Sequence, residues 1–263
     1  MIAFAKRIIQ SLLRRRGLVI HSLRYLEGRQ REQIVQIEGA LRALGFFTLP
    51  HSPTRCDLLG RLLGTTVSEG LYLCQHLSEA LSVPGDVCEF GVAQGATSAL
   101  LANEIQPTAR RLWLYDSFEG LPPPTEEDAL IDDIYGLGRM DAYAGTMRSS
   151  ERPLRGRLAA IGFPGDRYVI VRGVFENKTD TPGPPRICFA YVDFDLYKPI
   201  LDALVFIEER MPPGGRVVVD DYKFFSAGAQ RAVDEFRARR ANDWEFSVPY
   251  DFCGHFCCLR KTA

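Results

Sequence analysis

Five short apolar runs, at residues 86–92, 111–117, 168–173, 186–194 and 215–222, are separated by stretches long enough for crossover helices. Strands joined by such crossovers pair in parallel, and a parallel sheet has to be covered on both faces. The alternation therefore confines the chain to a doubly wound α/β fold. Two covering helices are well marked. Pro199 stands where a first helical turn tolerates proline, Leu201, Leu204 and Ile207 continue the turn spacing, and Pro212-Pro213-Gly214-Gly215 ends it. The other carries Ala229, Val233 and Phe236 on one face. Up to residue 84 the pattern is helical, most clearly where Val67, Leu71, Cys74, Ser78 and Leu81 form one stripe behind the caps Thr65-Thr66. At the far end, residues 244–252 and 255–261 read as strands joined only through Cys253-Gly254, a connection that requires antiparallel pairing. The expected architecture is a central seven-stranded, mostly parallel sheet with an antiparallel last strand and helices on both faces.

Chemistry enters at the strand ends. Val192-Asp193-Phe194-Asp195-Leu196-Tyr197 and Val217-Val218-Val219-Asp220-Asp221-Tyr222 each close an apolar run with carboxylates. In an open parallel sheet the carboxyl ends of the strands lie along one edge, where ligands bind, so four Asp side chains from two strands can converge there. A hard dication such as Mg2+ relieves their repulsion, because it favours oxygen ligands and keeps positions open for water or substrate. Two other outcomes stay open: Lys198 and Lys223 neutralise the carboxylates, or some Asp residues only cap the helices that follow.

The turn after the first strand is the second signal. In Cys88-Glu89-Phe90-Gly91-Val92-Ala93-Gln94-Gly95-Ala96-Thr97-Ser98, Gly91 and Gly95 permit a tight turn and close approach of a ligand to exposed N–H groups. Ala93 stands where a dinucleotide fingerprint puts its second glycine, which counts against nicotinamide, and there is no G-K-[ST] phosphate loop. Asp116, about 20 residues beyond Gly95 at the end of the next strand, is placed to accept hydrogen bonds from two ribose hydroxyls. Glycines without diphosphate geometry plus this acid suit S-adenosylmethionine, which has a ribose but no phosphate. A plain tight turn with a helix-capping Asp116 is the alternative.

Taken in order, several motifs resemble the macrocin O-methyltransferase family from about Thr65 to the C-terminus. They are Val83-Pro84-Gly85-Asp86-Val87-Cys88-Glu89-Phe90-Gly91-Val92, Tyr115-Asp116-Ser117-Phe118-Glu119-Gly120-Leu121-Pro122, the two acidic clusters, and Gly228 with Ala232-Val233-Asp234-Glu235-Phe236. The resemblance implies a class I methyltransferase (Rossmann-like) fold and an Mg2+-dependent enzyme. Such an enzyme moves the methyl group of S-adenosylmethionine to a hydroxyl of a small molecule, often a sugar of a glycosylated natural product. By the same resemblance Asp193, Asp220 and Asp221 match metal ligands, and Asp193 or Asp195 takes the acceptor's proton. The cofactor set is Glu89, Gly91, Val92, Gly95, Thr97, Ser98, Asp116 and Ser117. Thr65 and Ser68 join it because Thr65-Thr66-Val67-Ser68 is similar to the family's Thr-Met-Val-Ser segment. One departure stands out: Ala93-Gln94-Gly95-Ala96 replaces the usual Trp-Arg-Gly-Gly, so an Arg able to contact cofactor or acceptor is missing.

Composition bounds the rest. The chain has 263 residues, 46% of them hydrophobic, and divides into an N-terminal helical extension (1–64) and a methyltransferase domain (65–263). A stretch at about 119–167 is too long for an ordinary crossover and reads as a lid. It carries Glu126, Glu127, Asp128, Asp132 and Asp133, then Arg148, Arg152, Arg155 and Arg157, with Met140, Tyr143 and Met147 as pocket candidates. A formal net charge of −1 offers no basic face for nucleic acid. Seven Cys without a C-x-x-C pair suit a reducing compartment, with cytoplasm the default. Near the start, Ile8, Ile9, Leu12 and Leu13 precede Arg14-Arg15-Arg16, a basic amphipathic pattern far short of the ~20 apolar residues of a spanning helix. It is expected to pack on its own domain or on a partner, as in a homo-oligomer. His255, beside Gly254, reads as structural, and His51 and His76 receive no role. A nicotinamide-dependent oxidoreductase and a cofactor-binding protein without catalysis are the alternative functions.

Overall fold

The computed structural model describes residues 23–240, 242–249 and 253–263; the basic pattern at the start and residues 250–252 lie outside them. The apolar runs become β1 (Asp86–Phe90), β2 (Leu112–Asp116), β3 (Tyr168–Arg172), β4 (Ile187–Val192) and β5 (Arg216–Val219), all parallel. With β6 (Trp244–Ser247) and β7 (Cys257–Lys261) they form one sheet in the order β3-β2-β1-β4-β5-β7-β6. β7 runs antiparallel to both β5 and β6.

Among the described residues the helices are α1 (Leu23–Ala43), α2 (Pro53–Leu59), α3 (Val67–Ala80), α4 (Ala96–Ile105), α5 (Glu151–Ala160), α6 (Tyr197–Glu208) and α7 (Ala227–Arg239). The two-residue period of the strands sorts side chains between two cores. Leu112 and Leu114 of β2 and Phe189 and Tyr191 of β4 join the cluster under α1 to α5. Tyr115, Ala190 and Val192 face the cluster under α6 and α7. None of the described helices is long and apolar enough to cross a membrane.

Three expectations need correction. The terminal strands are antiparallel, but they are not joined through Cys253-Gly254 alone, because β6 stops at Ser247. Ser247 already pairs with Cys258, so further residues of β6 would have little of β7 left to pair with, and Cys253 and Phe256 are fully buried in the core instead. α3 is buried on most sides rather than along one stripe, since it packs against β4 and β5 as well as α1 and α4; Leu73 and Leu77 are fully buried while Ser78 and Leu81 are only half-buried. The stretch 119–167 divides. Its second part, α5, is an ordinary crossover helix on α4, with Leu154 and Leu158 fully buried.

Candidate active site

The strand order reverses between β1 and β4, the place where open α/β sheets bind ligands. The loops leaving β1, β2, β4 and β5 surround a cavity of about 400 Å³. Gly91, Val92, Thr97, Asp116 and Ser117 line it from the first two strand ends, and Asp193, Asp195, Asp220 and Asp221 from the other two.

β1 and β4 are in contact at this point. A Cβ on Gly91, where φ is 88°, would stand 1.8 Å from the carbonyl oxygen of Asp193. The glycine is thus required by the neighbouring strand as well as by the turn. Asp116 then ties β2 to the same turn: its Oδ2 accepts the N–H groups of Val92 and Ala93, each at 2.7 Å, and its Oδ1 accepts that of Phe118 at 2.6 Å.

One carboxylate oxygen from each of Asp193, Asp195 and Asp221 lies within 4.8 Å of the others. Asp195 and Asp221 have left-handed backbones, φ 62° and 55°, which Asp tolerates better than most residues and which concentrate strain at functional turns. Asp220 is beside them but its oxygens are engaged: Oδ2 accepts the Tyr191 hydroxyl at 2.7 Å and Oδ1 the Asp221 N–H at 2.8 Å. Neither Lys neutralises the group. Lys198 pairs with Asp202, and the Lys223 ammonium lies 5.5 Å from the Tyr222 ring centre. Among the described residues no Lys or Arg forms an ion pair with any of the four Asp. Helix capping is not their role at α6 either, because the N–H of Tyr197 goes to Asp128 Oδ1 at 2.8 Å.

Crowded carboxylates in a poorly solvated place resist ionisation. Burial, then Asp220 and Asp221, holds Asp193 well above the usual carboxylate range, and burial, then Asp220 and Asp195, does the same to Asp221. Asp195 is pushed up to about 8 by burial and next by Asp193. For Asp220 burial also raises the pKa, with the Tyr191 hydroxyl and the Asp221 amide opposing it. Hard oxygen donors gathered without a basic partner fit a divalent cation of the Mg2+ type.

Two members of the cluster were missed from sequence. Tyr191 donates its hydroxyl proton to Asp220, and Glu69 Oε1 lies 3.3 Å from the same hydroxyl; Glu69 is 2% exposed and held well above its ordinary pKa by burial and then Asp220. A signal existed for each. Tyr191 precedes Asp193 by the two-residue strand period. Glu69 completes a Thr-x-x-Glu capping box with Thr66, whose hydroxyl does accept the Glu69 N–H, at 3.1 Å, but the Glu69 carboxyl turns inward to the cluster.

The other sequence candidates separate clearly. Glu89, Gly95, Ser98, Thr65 and Ser68 do not line the cavity. Ser98 donates to Glu89 Oε2 at 2.5 Å, Glu89 Oε1 is buried without a partner among the described residues, and burial pushes this carboxyl up to about 8. Gly95 is the αL N-cap of α4, where a Cβ would meet Leu154. Thr65 places its hydroxyl 3.4 Å from that of Thr97, and Ser68 lies in the first turn of α3. Met147 and Arg148 line the cavity, but Met140 and Tyr143 do not: they are packed with Leu121, Leu196 and Phe225 in a separate small core. His255 stacks on Phe224, ring centres 4.4 Å apart, and so supports a wall residue. His76 is shared between Arg216 and Cys258.

Residues 64–247 match the sequence profile of the macrocin-O-methyltransferase (TylF) family. The chain is 31% identical over 183 residues to 8-demethyl-8-(2,3-dimethoxy-alpha-L-rhamnosyl)-tetracenomycin-C 4'-O-methyltransferase of Streptomyces olivaceus, covering 68% of this chain and 67% of that one. It is 30% identical over 173 residues to Mycinamicin III 3''-O-methyltransferase of Micromonospora griseorubida, with coverage of 63% and 66%. The solved O-methyltransferase NovP shares the fold at a TM-score of 0.64 and 23% identity, over 75% of this chain and 81% of that one. TomG from Streptomyces achromogenes, solved in complex with SAM, gives 0.50 and 18%, over 89% and 99%. The sheet order and the match through both acidic clusters agree: this chain belongs to the macrocin-O-methyltransferase family and is an S-adenosylmethionine-dependent O-methyltransferase with the class I fold.

Proposed function

We propose that the acceptor is a sugar hydroxyl of a glycosylated natural product and that the reaction uses Mg2+ held by Asp193 and Asp221 with Asp220 beside them, whose engaged oxygens each keep a lone pair, while Asp195, third member of the tight trio, takes the proton. The observation that carries this reading is the convergence of four carboxylates, ion-paired with no Lys or Arg among the described residues, on the same cavity as the Gly91 turn and Asp116. The names of the two relatives support the acceptor class: one specifies the 4' oxygen of a rhamnosyl-tetracenomycin, the other the 3'' oxygen of Mycinamicin III.

When bound, the cation would stabilise charge on the acceptor oxygen as a Lewis acid, and S-adenosylmethionine would supply the methyl group. The chain's own residues do the remainder. Asp116, whose Oδ2 is taken by the Val92 and Ala93 N–H groups, keeps a lone pair on Oδ1 for a ribose hydroxyl. Asp195 lines the cavity beside Asp193 and Asp221 and is placed to accept the proton. Tyr191 fixes the rotamer of Asp220. Phe175, Phe224, Phe225 and Tyr135 give the cavity apolar walls that shed water and accept the hydrophobic face of a sugar ring.

The test is methyl transfer to a panel of glycosides with and without chelator. Asp193→Asn and Asp221→Asn should bind S-adenosylhomocysteine normally yet lose on the order of 100-fold or more in turnover, the scale on which removal of one charge-stabilising group acts. Full turnover by both variants in the presence of chelator would overturn the metal assignment, and turnover on hydroxylated compounds lacking a sugar would overturn the acceptor class.

A further inference from the structure

Away from the cavity, three metal-ligating side chains meet where α1, the following loop and α2 come together. Glu38 Oε2 lies 3.2 Å from His51 Nδ1 and 3.8 Å from Cys56 Sγ, and that sulfur is 3.9 Å from the same ring nitrogen. We propose that Glu38, His51 and Cys56 form a second metal site, one for a borderline transition-metal ion such as Zn2+, unrelated to the carboxylate cluster.

The geometry supports this first. A tetrahedral zinc ion with bonds of about 2.3 Å to sulfur and about 2.0–2.1 Å to nitrogen and oxygen has ligand-to-ligand edges of roughly 3.4–3.6 Å. The three observed separations scatter around those edges, and the 3.2 Å contact stands at the long end of the N–H···O range. The sulfur and the carboxylate oxygen also both approach Nδ1, and a single ring nitrogen serves one in-line hydrogen bond well but not two. Three ligand atoms turned towards one point suit an ion at that point.

Donor chemistry separates the two sites. A thiolate, an imidazole and one carboxylate oxygen select zinc-type ions, while the Asp cluster offers only hard oxygens. The charges balance: one carboxylate and one thiolate offset a dication, with the thiol proton leaving to solvent on binding. Arg42 grips the other oxygen of Glu38, Oε1, at 2.8 Å, and so fixes the carboxylate with Oε2 towards the thiol, as outer partners of metal ligands do. Glu38 and Cys56 are buried, 4% and 2% exposed, but half of the His51 side chain is exposed, which leaves an entry path and a fourth position for water. An ion here would fasten α1 and its loop to α2, which is itself bound to α4 through the Arg55–Glu104 pair.

Cobalt provides the test, because only a thiolate ligand gives a sulfur-to-cobalt charge-transfer band. Co2+ is added to the chelator-treated, full-length protein in excess Mg2+, and Zn2+ is then added as competitor. The expected result is a one-equivalent band that Zn2+ abolishes, missing in Cys56→Ser, with affinity lowered roughly tenfold or more in His51→Ala. His51 is half-exposed, so His51→Ala is expected to fold, and S-adenosylhomocysteine binding verifies that for each variant. Absence of the band in the wild type, or a band that His51→Ala leaves at full affinity, overturns the proposal.

Discussion

Position 89 shows how far one residue's chemistry depends on its surroundings. Glu89, on the first strand, reads from sequence as a cofactor contact, but it is buried with Ser98 as its partner. Its carboxyl, ordinarily near 4.5, titrates near 8 in the folded chain because burial disfavours the charge. Below about pH 4.5 the group is neutral folded or unfolded and costs nothing. As pH rises from about 4.5 to 8 the unfolded chain gives up this proton while the folded chain keeps it, so stability falls, by up to about 4–5 kcal/mol if the whole shift is realised, and levels off above 8. Glu89→Gln keeps an oxygen for Ser98 and removes the titration. Urea unfolding at a series of pH values should therefore show the wild type losing stability between pH 5 and 8 relative to the variant. Parallel pH profiles would exclude a raised Glu89 pKa.

At the scale of elements, the stretch 119–149 is attached to the sheet domain by Asp128. Asp128 is 3% exposed and accepts from the Thr125 backbone at 2.8 Å, from the Tyr197 N–H that opens α6 at 2.8 Å, and from the Ser226 hydroxyl at 3.1 Å. Gly228 makes room for it, since a Cβ there would stand 1.8 Å from Asp128 Oδ1. A bridge between Leu130 and Ser226 continues the attachment. Asp128→Ala removes a helix cap and leaves buried donors unpaired, a loss of about 2–3 kcal/mol. It should also loosen residues 119–149, with faster proteolysis there and a higher KM for the acceptor than for the methyl donor. An unchanged proteolysis rate would show that this stretch is held elsewhere.

Over the whole molecule, the helices before residue 64 are continuous with the sheet's core. Ile34, Leu41, Phe47 and Leu59 belong to the same buried cluster as Val87 and Leu112. Arg55 on α2 joins Glu104 on α4 through two hydrogen bonds, 3.0 and 2.6 Å, with both side chains about nine-tenths buried. Breaking such a pair strands a buried charge. Arg55→Ala should cost roughly 3 kcal/mol and lower the midpoint of a single unfolding transition. Calorimetry resolving a separate early transition for the N-terminal helices would contradict that continuity.

What the sequence alone determined is local or periodic. The run-and-crossover rhythm dictates a parallel sheet, because strands so joined cannot pair otherwise, and acids that close two of the runs are carried to the ligand-binding edge with them. Ordered motifs identified the family for the same reason, since each is a short segment with its own turn chemistry. What the tertiary structure decided depends on residues distant in the chain. Asp195 rather than Asp220 closes the tight trio with Asp193 and Asp221, because Tyr191 and the Asp221 amide engage Asp220. Glu69 reaches that cluster from a helix more than a hundred residues away, at 122 positions from Tyr191. The meeting of Glu38, His51 and Cys56 likewise has no metal-binding spacing to announce it. Spacing fixes where a side chain stands on its own element, and only packing fixes which elements, and so which charges, share one small volume.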